Sequence, residues 1–394
     1  MCDTTTCRHQ DAAPQSRHSR RSVLAALAAT TGTAAVAAGV PGIADAQPSA
    51  SRLSESQSSG AQPGRNTRLA VTLLGTAAGP PPLAARYGTS SAITVDGRTY
   101  VVDCGRGSLT QYLKAGLRLP SLAGIFLTHL HSDHTVDYFS YALLAGGAAG
   151  TSGFPSPIDV YGPGPGPVPS GTPTTGQQWV LPGVPSPGTT QLTESANLAF
   201  AQSSDAFMAE HFGVDPATML RVHDIRLPTG IDPTPQDPAP AMAPFTILEN
   251  DDLKVTAVLV PHGAAVPSYA YRFDTDHGSV VFSGDTARTP NIPRIAHGAD
   301  LLVHEATATD VLARTGLPPA LLDHIRAVHT EIDDLGTVAA ESDVRAVVAT
   351  HLGPGDPALM STQDWTRRLR RSAHIAGFPG KTTVGTDLLD IPLP

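Results

Sequence analysis

Thr128-His129-Leu130-His131-Ser132-Asp133-His134 puts four side chains able to bind a metal into six consecutive positions. The preceding run, Ala123 to Thr128, is apolar and of buried-strand length, so the four side chains fall on the loop leaving a strand. Loops at strand ends are where chemistry is commonly placed. Imidazole and carboxylate suit Zn²⁺, Fe or Mn, and the H-x-H spacing lets two imidazoles converge on one ion while Asp133 and His134 turn toward a second. The competing reading is a surface histidine cluster, or capping residues ahead of the helix-like Val136 to Leu144. Three histidines and an aspartate at this spacing favour the ligand reading.

H-x-H-x-D-H on a loop after a strand resembles the metallo-β-lactamase-fold hydrolase superfamily. The resemblance implies an α/β fold, a four-layer αβ/βα sandwich, over roughly residues 68 to 390, and its other motifs occur in order on either side of this loop. Leu74 to Pro82 with Arg86 and Ser90-Ser91 is similar to the opening of the tRNase Z branch. Asp103-Cys104-Gly105-Arg106-Gly107 resembles that branch's D-C-G-E-G, with Arg106 where Glu is usual. His262 follows the strand-like Leu253 to Val260, Asp285 follows Ser279 to Phe282, and His351 ends Ala346 to His351. His304-Glu305-Ala306-Thr307 matches the branch's H-E-A-T, and His329 precedes a helical pattern over Ile332 to Ala340.

By resemblance, His129, His131 and His262 hold one metal, Asp133, His134 and His351 hold the other, and Asp285 bridges them. The implied cofactor is two divalent ions, with zinc favoured and Fe or Mn as alternatives, which together lower the pKa of a water so that hydroxide attacks. Asp103, Glu305 and His329 are expected to orient the ligands from behind. His304 is expected to protonate the leaving group, and Asp133 to take part in catalysis as well as binding.

The 394 residues are 41% apolar, enough for a substantial core, and the 37 Gly and 36 Pro cluster, which suits one compact domain with long irregular loops. A formal charge of −9 argues against an unspecific grip on nucleic-acid backbone. Ser19-Arg20-Arg21-Ser22-Val23-Leu24, an Ala-rich stretch to Val40 and Ala44-Asp45-Ala46 resemble a twin-arginine signal peptide over residues 1–46. A first transmembrane helix is the alternative, poorly served by so many Ala, Gly and Thr. Cleavage there removes Cys2 and Cys7 and leaves Cys104 without a disulfide partner, a buried small hydrophobe rather than a catalytic thiol.

Residues 47–67 read as a flexible linker, and 68–394 as the folded domain, with a Gly/Pro-rich insertion at about 145–245. Leu69 to Leu74 reads as a strand and Ala92 to Asp103 as a hairpin turning at Asp96-Gly97. Residues 145 to 190 read as irregular, a lid or a passive loop, and Thr190 to Phe212 as helical.

Asp285 stands where members of the superfamily that open β-lactams generally carry Cys or Ser, which moves the expectation away from a true β-lactamase toward phosphodiesterase, arylsulfatase or lactonase chemistry. Only 22 residues separate His262 from Asp285, the interval that in tRNase Z usually holds the arm gripping tRNA. The expected protein is therefore a hydrolase of small phosphate or sulfate esters, exported to the periplasm or the outside by the twin-arginine machinery. A small-molecule ester is its expected partner and nucleic acid is not; a homodimer is left open. A lactonase is the alternative enzyme, and a non-catalytic metal-containing binding protein the alternative of another class.

Overall fold

The structure, a computed structural model, describes residues 68–393 except 147–153, 155–156, 169–172 and 174–175. The proposed signal and linker segments lie outside the described residues. The first half of the fold runs β1 (Leu69–Gly75), β2 (Ser90–Val95), β3 (Arg98–Val102), α1 (Ser108–Lys114), β4 (Leu122–Phe126), α2 (Ser132–Thr135), β5 (Ile158–Pro163), α3 (Thr189–Ala199), α4 (Ala201–Ala209) and β6 (Leu220–Ile225). The second half runs β7 (Phe245–Glu249), β8 (Lys254–Leu259), β9 (Tyr269–Thr275), β10 (Gly278–Phe282), α5 (Asn291–Ala296), β11 (Leu301–Thr307), α6 (Thr309–Leu312), α7 (Pro319–Val328), α8 (Ile332–Glu341), β12 (Ala346–Gly353), α9 (Thr362–Ile375), β13 (Lys381–Val384) and β14 (Leu389–Pro392).

These strands form two seven-stranded sheets, ordered β14-β1-β2-β3-β4-β5-β6 and β13-β12-β11-β10-β9-β8-β7. Each is mixed: β1 to β3 and β7 to β10 pair antiparallel, whereas β3 to β6 and β10 to β13 pair parallel. Alternation along the strands supplies two buried faces per sheet. Leu69, Val71 and Leu73 of β1 and Tyr100 and Val102 of β3 join Val255, Tyr271, Phe273 and Val280 in the large core between the sheets. Val101 and Ile125 point the other way and pack with Leu109 and Tyr112 of α1. Helices α8 and α9 cover the second sheet through Leu335, Val338, Trp365 and Leu369. The result is the α/β sandwich expected, two mixed sheets flanked by helices.

The predicted hairpin turns at Asp96 (φ 45°) and Gly97 (φ 83°), the left-handed pair that a two-residue turn demands. Two expectations change. The stretch 145–245 is not simply an insertion, because it supplies β5 and β6, which extend the first sheet in parallel register beyond β4. The helix expected over 190 to 212 breaks at Phe200 (φ −102°, ψ 8°) into α3 and α4.

Candidate metal centre

The parallel strands end on one rim, and their carboxyl ends deliver the polar side chains there. His129, His131, Asp133 and His134 follow β4, with Asp133 and His134 in the single turn of α2. His262 follows β8, Asp285 follows β10, and Glu305 and His351 lie on β11 and β12. Glu305 pairs with Thr350 and Ala306 with Leu352, so His351 is the extra residue of a bulge, at φ 44°. Such a bulge re-aims a side chain that regular alternation would send elsewhere. Asp103 is likewise left-handed at φ 60°, a conformation costly for a non-glycine residue. Gly284 (φ 60°) lets the chain turn into Asp285; a Cβ there would lie 2.6 Å from the Tyr269 carbonyl oxygen.

One carboxylate oxygen is central. Asp285 Oδ2 lies 3.2 Å from His351 Nε2, 3.3 Å from His134 Nε2, 3.6 Å from His262 Nε2 and 4.0 Å from His129 Nε2. His131 Nδ1 lies 3.1 Å from His262 Nε2, and Asp133 Oδ2 lies 3.4 Å from His351 Nε2. Ligand atoms of His129, His131 and His262 form one group able to hold a metal ion, and those of Asp133, His134, Asp285 and His351 another. Nε2 of His129, Nε2 of His134 and Oδ1 of Asp285 are buried without a hydrogen-bond partner among the described residues. Buried polar atoms left unmatched are costly, and converging imidazole and carboxylate atoms are the donor set that divalent ions such as zinc take. The residues therefore fit two cations.

Electrostatics agree with that fit. Burial and neighbouring histidines keep His129 and His131 below the usual imidazole range, and burial takes His262 down to about 4, so all three hold free lone pairs near neutrality. His134 is pushed up: against burial, which lowers it, the Asp285 and Asp103 carboxylates favour a positive charge there. A metal cation satisfies the same carboxylates. Asp133 and Asp285, although burial would raise them, are held below the carboxylate range by His351 and His134.

A second layer fixes the rings. His134 Nδ1 donates to Asp103 Oδ2 at 2.8 Å, and the other Asp103 oxygen accepts from the Thr128 amide at 2.8 Å. His262 Nδ1 donates to the Val328 carbonyl at 3.0 Å. Both bonds leave Nε2 as the nitrogen facing the cluster. The Gly79 amide donates to Asp133 Oδ2 at 3.1 Å. Arg106, in the place of the usual Glu, donates to the carbonyls of Leu83 and Arg86 at 2.9 and 2.6 Å, and so holds the loop after β1 against the site.

His304 is not brought to the cluster. Successive residues of a strand point to opposite faces, and on β11 it is Glu305 that faces the site. His304 is buried on the helix side, where it lines a cavity with Arg288, Ile292 and Val338. Its Nδ1 donates to the Glu305 carbonyl at 2.7 Å, and burial holds its pKa below the usual range. His329 is brought there instead. Its Nδ1 donates to Glu305 Oε1 at 2.9 Å, and its ring lies 4.9 Å from that of His262 and 5.7 Å from that of His351. Against burial, which lowers it, the Glu305 carboxylate raises His329 to about 9.

Comparison with known proteins agrees with this arrangement. The beta-lactamase superfamily domain matches residues 202–352, and the metallo-beta-lactamase superfamily matches residues 83–137. Ribonuclease Z of Mycobacterium marinum is 26% identical over 318 residues, 81% of this chain and 96% of that protein. Among solved structures, the metallo-beta-lactamase fold protein YhfI from Bacillus subtilis is 17% identical with a TM-score of 0.52, covering 82% of this chain and 98% of its own. The short form of human tRNase Z is 20% identical with a TM-score of 0.52, covering 82% and 99%. With its two mixed sheets and its clustered histidines and aspartates, the chain has the metallo-beta-lactamase fold and is similar to that superfamily of hydrolases, ribonuclease Z proteins among its relatives.

Proposed function

We propose that this protein is an exported hydrolase of small phosphate or sulfate esters that works with two divalent metal ions, zinc being the favoured one. The observation that carries the reading is the placement of Asp285 Oδ2, within 3.6 Å of His134, His262 and His351 Nε2, so that one oxygen can serve both ligand groups. Two ions held there would activate water and stabilise charge on the attacked group.

The chain's own residues supply the remaining roles. His329, charged near neutrality and held by Glu305 through Nδ1, has Nε2 left to give a proton to the departing oxygen. Asp103 and the Val328 carbonyl keep His134 and His262 in the tautomer that turns Nε2 inward. Gly79 fixes Asp133 beside the attack position through its amide.

A small substrate fits better than tRNA. The cleft over the ligand cluster has no Lys or Arg among its described lining residues, and residues 147–175 contain none either. A polyanion held by its phosphates needs such cations. Export rests on the arginine pair at Arg20-Arg21 and the Ala-x-Ala at 44–46.

A panel of chromogenic phosphodiesters, sulfate esters and lactones on the zinc-loaded protein tests the activity. Metal-dependent turnover of a phosphate or sulfate ester is expected. Turnover of lactones alone would replace this reading with the carboxylic-ester one, and no turnover of any ester would leave a binding protein.

A further inference from the structure

The cleft that opens on the ligand cluster has a volume of about 600 Å³, and its walls differ sharply from its floor. The floor is the polar cluster. The apolar lining is Leu317, Leu321, Ile325 and Val328, from the segment leading into α7 and from α7 itself, with Leu83 and Leu359 from the loops after β1 and β12. Two of these leucines stand at the solvent edge, Leu321 at 42% and Leu359 at 48% exposed, although both line the one cleft. Single exposed leucines are ordinary, but a set of them facing across a site with reactive groups at its base is the usual makeup of a ligand pocket. The apolar wall also has a fixed relation to the chemistry, because Val328 at the end of α7 accepts from His262 Nδ1 at 3.0 Å.

Charge narrows the ligand further. The lining residues with titratable side chains are histidines, aspartates and Glu305; among the described residues no Lys or Arg lines the cleft. A phosphomonoester dianion would thus have no side-chain cation beyond the ligand cluster and His329, whereas a monoanionic ester needs no more than these. We propose that the cleft selects monoanionic phosphate or sulfate esters that carry a large apolar arm, aryl or medium-chain alkyl, laid between α7 and Leu359. This rests on the ester-hydrolase reading and specifies which esters.

The test is calorimetric titration of the full, zinc-loaded chain with monoanionic O-methyl alkylphosphonates, in which the alkyl arm grows from methyl to octyl. Kd is expected to fall by about threefold to fourfold per methylene until the cleft is filled. The double variant Leu321→Ser, Leu359→Ser should flatten that slope, with its melting temperature measured alongside to establish folding. A Kd independent of arm length in the wild type, or a slope kept in full by a folded double variant, would overturn the proposal. Turnover is read separately on nitrophenyl diesters. A chain-length slope in binding without turnover supports the cleft proposal and removes the hydrolase reading; turnover without a slope does the reverse.

Discussion

Glu305 Oε1 accepts from His329 Nδ1 at 2.9 Å, and the same oxygen accepts from the Thr286 amide at 2.8 Å, so the carboxylate is held from two directions while it holds the ring. His329→Ala is expected to keep its metals and to lose about two to four orders of magnitude in kcat on esters with alkyl leaving groups. The loss on nitrophenyl esters should be much smaller, because a good leaving group needs no proton. Glu305→Gln should show the same split in weaker form. Equal losses on both ester types, or loss of metal from His329→Ala, would remove His329 from the proton-donor role. His304→Ala is expected to change the ratio between the two ester types little.

Asp103 touches no metal-facing atom, yet it holds His134 through Nδ1 and the Thr128 amide through its other oxygen. Replacing such a carboxylate behind a metal-binding histidine typically weakens the metal site about 10- to 100-fold. Asp103→Ala should therefore raise the zinc dissociation constant by that factor in a chelator competition, and wild-type affinity in the variant would show that the pair is only structural.

Phe126 ends β4 three residues before His129. Its ring stacks on Tyr161 at 5.1 Å and meets Phe273 at 5.0 Å and Tyr271 at 5.7 Å, joining the two sheets directly beneath the ligand loop. Phe126→Ala is expected to cost about 3–5 kcal/mol in urea unfolding. A shift below about 1 kcal/mol would mean that the sheets close over the gap.

Export is tested in the cell. Arg20→Lys with Arg21→Lys should leave the precursor in the cytoplasm, whereas secretion of the double variant with cleavage after Ala46 would discard the twin-arginine assignment.

How far the sequence could be read depended on where each signal lay. Four of the candidate ligands sit on one short loop after a strongly apolar strand, so residue type and spacing alone located them. The strands bearing His262, Asp285 and His351 were legible because each is a short apolar run ending at the polar residue. The bulge that turns His351 inward was not, since it exists only through the pairing of β11 with β12. His304 and Glu305 are adjacent, and nothing local says which face of β11 each takes; that emerges only in the folded sheet, where His304 lines a cavity with Ile292 of α5 and Val338 of α8. Strands β5 and β6 were hidden by the Gly and Pro around them, and their pairing with β4 is a long-range property. The apolar cleft is likewise assembled from segments more than two hundred residues apart, Leu83 and Leu321 among them.

Asp285 is the residue through which one chain would hold two metal ions. Elemental analysis of protein purified without chelator measures this directly, on the wild type and on Asp285→Ala. About two divalent ions per wild-type chain are expected, with loss of at least one in the variant. A wild-type content of one or none, or a variant that keeps both, would contradict it.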